Sequence, residues 1–319
     1  KGRFDPKRFA AQATLPQVKM IEIKLSQGAK PGHGGVLPAA KVTSEIARAR
    51  GVDEHLDCLS PDHHSAFTTP REMIHFVSEL RELSGGKPAG IKLCIGHRWE
   101  FLAICKAIVA EGVGPDFVVI DGAEGGTAAA PMEFPDHVGM PLREGLVFAH
   151  NALLGYDLRD QIRLAASGKI ITGFRLAANL ALGADWCNSA RGFMFALGCV
   201  QSLKCHTNRC PTGITTQSRA RQRGLHVEEK SHRVANFHRE TVAALVQILR
   251  AAGVSAPSEL QPHHLYRRLS ATDIQRLDEL YPTLSPGSLL DNPPEPWTTD
   301  CREAGIDSFQ RVSCPLMTN

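Results

Sequence analysis

The chain has 319 residues, a formal net charge of +3 and 43% hydrophobic residues, which allows one large or two small folded domains. The charge is too small to indicate nucleic-acid binding. The sequence also has no run of eighteen apolar residues, which a membrane-spanning helix would need. Nine cysteines, most without paired spacing, indicate a reducing compartment such as the cytoplasm. Because the chain starts at Lys1, without an initiator Met or a signal-peptide pattern, we expect a fragment of a longer protein.

Short apolar runs alternate with longer helical patterns, which predicts βα units around a parallel sheet. Five strands are predicted, at residues 18–25, 91–95, 117–121, 162–166 and 185–188. Thr69-Pro70 opens a helix over 71–83, because proline suits the first helical position. A long helix after the cysteines ends at Gly253. Beyond it, Ser270 to Asp273 is predicted to cap a short helix, and the proline-rich remainder is predicted to be an irregular tail.

A parallel (β/α) barrel closes with eight strands, so a barrel built from these five lacks three. Because the segment after the cysteines is predicted to be helical or irregular, we expect the missing strands before Lys1 or in a companion segment. The strand at 18–25 is then expected to be an edge of the sheet. The predicted division is a partial barrel over 1–253, with an iron–sulfur segment at 199–217, and a C-terminal extension over 254–319.

Three cysteines, Cys199, Cys205 and Cys210, lie within twelve residues and are followed by Pro211. Tight cysteine spacing that ends in Cys-Pro is typical of iron–sulfur ligation, and three thiolates suit a cluster of three irons and four sulfides. Zinc is an alternative, with His206 as the fourth ligand, although structural zinc ligands usually come as closer cysteine pairs. Three unrelated buried thiols are a further alternative, which leaves their clustering unexplained.

Three motifs together resemble the FMN-binding domain of glutamate synthase, in the short subfamily without a glutaminase domain. They are residues 23–35 (IKLSQGAKPGHGG), residues 121–127 (DGAEGGT) and residues 196–217, which carry the cysteines. The resemblance implies an FMN-dependent (β/α)8 TIM barrel, of which the five predicted strands would be the fourth to the eighth. It also implies an oxidoreductase that makes L-glutamate from 2-iminoglutarate, which forms from 2-oxoglutarate and ammonia. Electrons would come from ferredoxin or an NAD(P)H-oxidising subunit through a [3Fe–4S] cluster.

The resemblance also implies roles for individual residues. Gln27, Lys30 and Arg50 match the contacts to 2-oxoglutarate, a dianion that needs fixed cations, so Lys30 and Arg50 are expected to face the same cavity as Lys92. The alternative is that both are solvated surface charges. The implied FMN-binding residues are Lys92, Gly125, Gly126, Thr127, Ser167, Gly168, Lys169, Ala190 and Arg191. The implied cluster ligands are Cys199, Cys205 and Cys210.

Three positions depart from the family pattern. Val36 stands where larger members carry Gln, and Ala128 and Lys169 stand where Gly is usual. Val36 leaves open an N-methylglutamate synthase type of subunit, which would join an amine to the same carbon skeleton. Ala128 and the missing strands leave open an electron-transfer or scaffold subunit without flavin chemistry. No glutaminase nucleophile is recognisable at a processed N-terminus, so ammonia is expected to come free or from another chain.

Overall fold

The computed structural model describes residues 3–126 and 130–312. The strands within these ranges are β1 (Ile21–Lys24), β2 (Val36–Leu37), β3 (Cys58–Leu59), β4 (Ala89–Leu93), β5 (Phe117–Asp121), β6 (Arg163–Ser167), β7 (Trp186–Asn188), β8 (Tyr266–Arg268) and β9 (Ile274–Arg276). The α-helices are α1 (Pro6–Ala13), α2 (Ser44–Arg50), α3 (Pro70–Leu83), α4 (Arg98–Glu111), α5 (Leu142–Gly155), α6 (Gly173–Ala181), α7 (Arg191–Leu197), α8 (Arg219–Gln222), α9 (Val227–Ala251), α10 (Leu277–Leu280) and α11 (Trp297–Glu303).

Five of these strands form one parallel sheet in the order β1-β4-β5-β6-β7. Neighbours in the sheet follow chain order, as expected when successive helices return the chain to the same end of the sheet. The predicted α/β fold and all five predicted strands are confirmed, although the first strand begins at Ile21. It starts late because Val18 N donates to Leu15 O at 3.0 Å and closes a turn there. Within the described residues β1 and β7 are the two edges, and the sheet does not close into a barrel.

The two faces of the sheet differ because successive side chains of a strand point to opposite sides. On one face, Ile23 and Ile91 belong to the main core, which the helices cover. The opposite face has a small core of its own, packed against Trp186 and formed by Phe117, Val119 and Ala165. Further along the same strands, that second face carries polar side chains, and the candidate site lies there.

Helix α3 begins where the sequence predicts it. The Thr69 hydroxyl accepts a hydrogen bond from Glu72 N at 3.1 Å, and the Glu72 carboxylate accepts one from Thr69 N at 3.2 Å. This reciprocal cap satisfies two backbone donors that the helix leaves unpaired, and Pro70 occupies a first-turn position that needs no donor. The predicted helix is therefore confirmed.

The cysteine segment is held between helices at one edge of the sheet. It leaves α7 at Gly198, whose φ of 102° ends the helix, and it runs through α8 into the long helix α9. Helix α9 packs against both α6 and α7. The segment is therefore fixed at both ends close to β7.

The predicted helix cap at Ser270–Asp273 is wrong, because the short helix α10 begins only at Leu277 and its N-cap is Arg276. Residues 270–273 instead close a hairpin between β8 and β9, which pair antiparallel. The Ser270 hydroxyl accepts hydrogen bonds from the backbone N–H groups of Thr272 and Asp273, at 3.3 and 3.1 Å. A serine that accepts from the residues after it can cap a helix or form a tight turn, so the local pattern did not distinguish the two.

Residues 254–312 are more ordered than the predicted irregular tail. Trp297 is buried and stacks on Phe148 of α5, with ring centroids 5.0 Å apart. Leu289 is also buried, and its backbone N–H donates to Gly155 O at 2.9 Å. The C-terminal extension thus contributes to the main core around α5, while its status as a separate domain stays a prediction.

Candidate functional site

The carboxyl ends of the parallel strands bring several polar side chains to one face. Strand pairing sets Lys24 beside Lys92, and it aligns Asp121, Ser167 and Asn188 in a row across three strands. All five are the last or next-to-last residues of their strands. Because the ends of parallel strands meet at one edge, the loops that follow them are brought together as well.

Asp121 connects three of these elements. Its side chain is buried, and Oδ2 accepts a hydrogen bond from Gly28 N at 3.0 Å while Oδ1 accepts one from Ser167 Oγ at 2.8 Å. Lys92 Nζ lies 3.3 Å from Oδ2. The carboxylate therefore ties the loop after β1 and the end of β6 to the lysine of β4.

Gly28 is needed for this close approach. A Cβ atom at position 28 would lie 1.9 Å from Gly122 O, far inside a van der Waals contact. Ala29 N also donates to Gly125 O across the same contact. The loops after β1 and β5 thus pack backbone against backbone, which only a residue without a side chain permits.

A cavity of about 440 Å³ lies over these strand ends, and we call it the cysteine cavity. It brings together most of the residues implied by the resemblance, namely Gln27, Lys92, Gly125, Gly126, Ser167, Gly168, Lys169, Ala190, Arg191, Cys199, Cys205 and Cys210. Thr127 lies outside the described residues. Five further polar residues, which were not predicted as site residues, also line the cavity: Lys24, Asp121, Asn188, Thr212 and Thr215.

Positive charge surrounds the cavity. Lys169 pairs with Asp136 at 3.6 Å and keeps much of its side chain exposed, while Arg191 Nη2 donates to Gly126 O at 2.9 Å. Partial desolvation, followed by the charges of Lys92 and Lys30, lowers the pKa of Lys24 below its ordinary value. Neighbouring ammonium groups that repel one another favour the binding of an anion between them.

A second cavity of about 700 Å³ adjoins the first, and we call it the histidine cavity because His33, His63, His64 and His97 line it. Its lining also includes Lys30, which is buried. The two cavities share Lys24 and Gln27, and Lys24 Nζ donates to Gln27 Oε1 at 3.2 Å. This pair therefore stands at the boundary between the two cavities.

The structure separates three residues that were expected to face one cavity. Lys92 lines the cysteine cavity and Lys30 lines the histidine cavity, whereas Arg50 is exposed and lines neither. Arg50 lies in the last turn of α2, which turns Ala47 inward and ends at Gly51 with φ of 66°. The expectation of one shared cavity is therefore wrong. Val36, another position in question, is exposed on β2 and also lines neither cavity.

The three cysteines of the 199–217 segment all line the cysteine cavity. Burial raises the pKa of the Cys210 thiol, but hydrogen bonds from Thr212 and Thr215 outweigh this effect and lower the pKa to about 6. Among the described residues, no three Cys, His, Asp or Glu side chains are close enough together to hold a metal ion. His206, the fourth ligand in the zinc alternative, is exposed and does not line this cavity.

Residues 2–255 match the conserved region in glutamate synthase. The chain belongs to the glutamate synthase family. The glutamate synthase large subunit-like protein YerD of Bacillus subtilis (strain 168) is 40% identical over 279 residues, which are 88% of this chain and 53% of that protein. The archaeal glutamate synthase (NADPH) of Methanocaldococcus jannaschii is 36% identical over 242 residues, covering 76% of this chain and 47% of that protein. The chain thus spans about half the length of these curated relatives.

A solved structure of a mutant flavocytochrome b2 with pyruvate bound aligns with this chain at 15% identity and a TM-score of 0.46. The alignment covers 82% of this chain and 51% of the flavocytochrome chain.

No helix in the described part of this glutamate synthase family member is both long and apolar enough to cross a membrane.

Sequence reasoning missed Asp121 and Asn188 as site residues for a simple reason. Each is a single polar residue at the end of an apolar strand, and a strand end can also be an ordinary start of a turn. The signal that could have found them is their shared position, because both end strands of one predicted parallel sheet.

Proposed function

We propose that this chain carries out the flavin half of glutamate synthesis, the FMN-dependent reduction of 2-iminoglutarate, formed from 2-oxoglutarate and ammonia, to L-glutamate. The observation that carries the proposal is the cysteine cavity, where four cations, a buried carboxylate and three cysteines meet at the strand ends. Membership of the glutamate synthase family supports it, since several relatives are named as glutamate synthases.

The residues of the cysteine cavity fit a flavin nucleotide. Its volume of about 440 Å³ lies within the common size range of small-molecule sites. Lys169 and Arg191 offer positive charge to a phosphate dianion, and Ser167 and Gly168 also line the cavity. When bound, FMN supplies the hydride that reduces the imine carbon. Lys92, held by Asp121, would place a cation where negative charge builds up on the reduced ring.

The oxo acid would bind at the boundary between the two cavities. Gln27 lines both of them, and its carbonyl oxygen is occupied by Lys24, so its amide NH₂ group remains as a donor for a carboxylate. Lys30 is buried beside it and supplies a charge for the second carboxylate. Arg50 remains a contact implied by the family alone, since it would have to reach the substrate from the exposed end of α2.

We also propose that Cys199, Cys205 and Cys210 ligate a [3Fe–4S] cluster. Their spacing and their common cavity support this, and a thiol with a lowered pKa, such as Cys210, loses its proton readily to become a ligand. The three side chains would have to turn toward a common point, because they form no ready metal-binding group in the described chain. Ferredoxin or an NAD(P)H-oxidising subunit would then be the electron donor.

The direct test is glutamate formation by the purified full chain. The protein is reconstituted with FMN, iron and sulfide, reduced with dithionite and supplied with 2-oxoglutarate and ammonium. Lys92→Met is expected to lower the rate of glutamate formation at least about tenfold, the cost of losing one charge that stabilises the transition state. Lys19→Met is the control, because Lys19 is exposed just before the opposite end of β1.

The same assay separates the alternatives. A chain that binds FMN and is reduced, yet forms no glutamate, would contradict the proposal. Faster formation of N-methylglutamate from methylamine than of glutamate from ammonium would favour the N-methylglutamate synthase type. An absorption spectrum with a broad iron–sulfur shoulder but no flavin bands would favour an electron-transfer subunit.

A further inference from the structure

The histidine cavity is larger than its place in the proposed function requires. Its volume is about 700 Å³, against about 440 Å³ for the cysteine cavity. 2-Oxoglutarate is much smaller than a flavin nucleotide. Bound at the boundary between the two cavities, it would leave most of the histidine cavity free. The remaining volume is enough for a second kind of ligand.

One part of the cavity carries a buried positive charge. Lys30 lines the cavity and is only 9% exposed. Among residues 3–126 and 130–312, its ammonium group donates no hydrogen bond and forms no ion pair. A buried charge loses hydration that a partner has to replace. The surroundings of Lys30 therefore favour an anion.

Much of the remaining wall is apolar. Strand β4 and the residues after it contribute Leu93 and Ile95, and helix α4 contributes Phe101 and Ile104. All four are buried members of the main core. An apolar group placed against them leaves water and gains free energy in proportion to the area that it buries.

Aromatic rings border this apolar part. The His64 ring stacks on Phe67, with ring centroids 4.7 Å apart and an angle of 5° between the planes. Phe309 of the C-terminal extension also lines the cavity, and its carbonyl oxygen accepts a hydrogen bond from Trp99 Nε1 at 3.3 Å. Rings that are already held in place can receive a further aromatic ring with little loss of side-chain entropy.

The other charged groups favour a ligand with a single negative charge. In the part of the chain that the structure describes, Lys24 and Lys30 are the only lysine or arginine side chains in the lining, and Asp62 and Glu100 add two carboxylates. Burial lowers the pKa of His64, so this ring is uncharged at neutral pH. The lining therefore has no further lysine or arginine for a second negative charge.

We propose that the histidine cavity is a binding site for monocarboxylates with an aryl or branched apolar body. The carboxylate binds Lys30, and the apolar body packs against Phe67, Ile104 and Phe309. The proposal rests on the proposed function in one respect, that Lys30 also binds 2-oxoglutarate, so the two ligands compete. Oxo acids with apolar side chains belong to this class and would act as competitive inhibitors of glutamate formation.

Calorimetry on the purified full chain tests the site with three probes. 3-Phenylpropanoate carries both the charge and the ring, propanoate lacks the ring, and 3-phenylpropanamide lacks the charge. We expect 3-phenylpropanoate to bind at least about tenfold more tightly than either of the others. Added 2-oxoglutarate is expected to weaken the apparent affinity for 3-phenylpropanoate.

Two substitutions assign the binding to this cavity. Phe309→Ala is expected to weaken 3-phenylpropanoate binding about threefold or more, and Lys30→Met about tenfold. The matched control is Phe174→Ala, because Phe174 is 49% exposed in the first turn of α6 and does not line the cavity. The control is expected to change the affinity by less than about twofold. Circular dichroism checks that each variant is folded, and the three-probe comparison needs no variant.

Three results would overturn the site: equal affinities for the three probes, equal losses in the Phe309 and Phe174 variants, or an unchanged affinity in Lys30→Met. Binding of 2-oxoglutarate without competition between the two acids would overturn it as well. Failure of 2-oxoglutarate to bind, or absence of glutamate formation, would count against the proposed function alone. Glutamate formation by a chain that does not bind 3-phenylpropanoate would count against the monocarboxylate site alone.

Discussion

Asp121→Asn tests whether the buried carboxylate organises the strand ends. The amide that replaces it can still accept the hydrogen bond from Gly28 N, and it can donate to the Ser167 hydroxyl, which is able to accept. It cannot replace the negative charge that faces Lys92. The substitution therefore isolates the ion pair from the hydrogen bonds around it.

The size of the effect follows from the distance between the charges. Two unit charges 3.3 Å apart attract by about 5 kcal/mol at an effective dielectric constant of about 20. The Lys92 side chain keeps 21% of its surface exposed, so water recovers part of this energy when the partner is lost. We expect Asp121→Asn to lower the free energy of unfolding by about 2 kcal/mol, between the values for an exposed pair and for a fully buried pair.

Urea denaturation followed by circular dichroism measures this change. Asp136→Asn is the matched control, because its ion pair with Lys169 spans 3.6 Å and is exposed on both sides. That variant is expected to lose about 0.5 kcal/mol or less. A double-mutant cycle with Lys92→Met should show a coupling of about 2 kcal/mol between the two positions. Equal losses in the Asp121 and Asp136 variants, or a coupling near zero, would refute the reasoning.

Lys30→Met is expected to weaken 2-oxoglutarate binding by about 1.5 to 3 kcal/mol, the value of a hydrogen bond to a charged group, whereas Arg50→Ala is expected to change it by less than about 0.5 kcal/mol. Calorimetry checks both, and the reverse order would place the substrate nearer α2. Gly28→Ala is expected to cost about 1 to 3 kcal/mol of stability, because the new Cβ would meet a backbone oxygen at 1.9 Å. An unchanged free energy of unfolding in urea would mean that the loops after β1 and β5 can move apart to make room for the Cβ atom. Burial, reinforced by the charge of Arg159, lowers the pKa of His150 to about 4. The unfolded histidine takes up its proton near pH ~6.5, so stability is expected to fall as the pH drops from about 6.5 to 4, by about 2 kcal/mol at pH ~5. His150→Gln should remove this part of the pH-dependent loss in the free energy of unfolding, which urea denaturation at pH 7 and at pH 5 measures. An identical pH dependence in the variant would contradict this.

The five sheet strands and the start of α3 were predictable from the sequence because their signals are local. An apolar run such as Phe117–Asp121 buries both faces wherever it lies in a parallel sheet, and Thr69 with Pro70 caps a helix through contacts within one turn. The cysteine spacing and the glycine-rich loops were likewise visible as motifs, and they pointed to the residues that now line one cavity.

Other features depend on contacts between distant parts of the chain. Ser270 lies in the turn of a hairpin because β8 pairs with β9. The serine pattern alone does not reveal this pairing. Lys30 and Arg50 are alike in the sequence as cations next to small residues, yet one is buried in a cavity and the other lies on the exposed end of a helix. The pairing of Asp121 with Lys92 and Gly28 joins residues up to 93 positions apart. Strand register brings those residues together, and register is set by the packing of the whole sheet, so only the tertiary structure decides which polar side chains share a site.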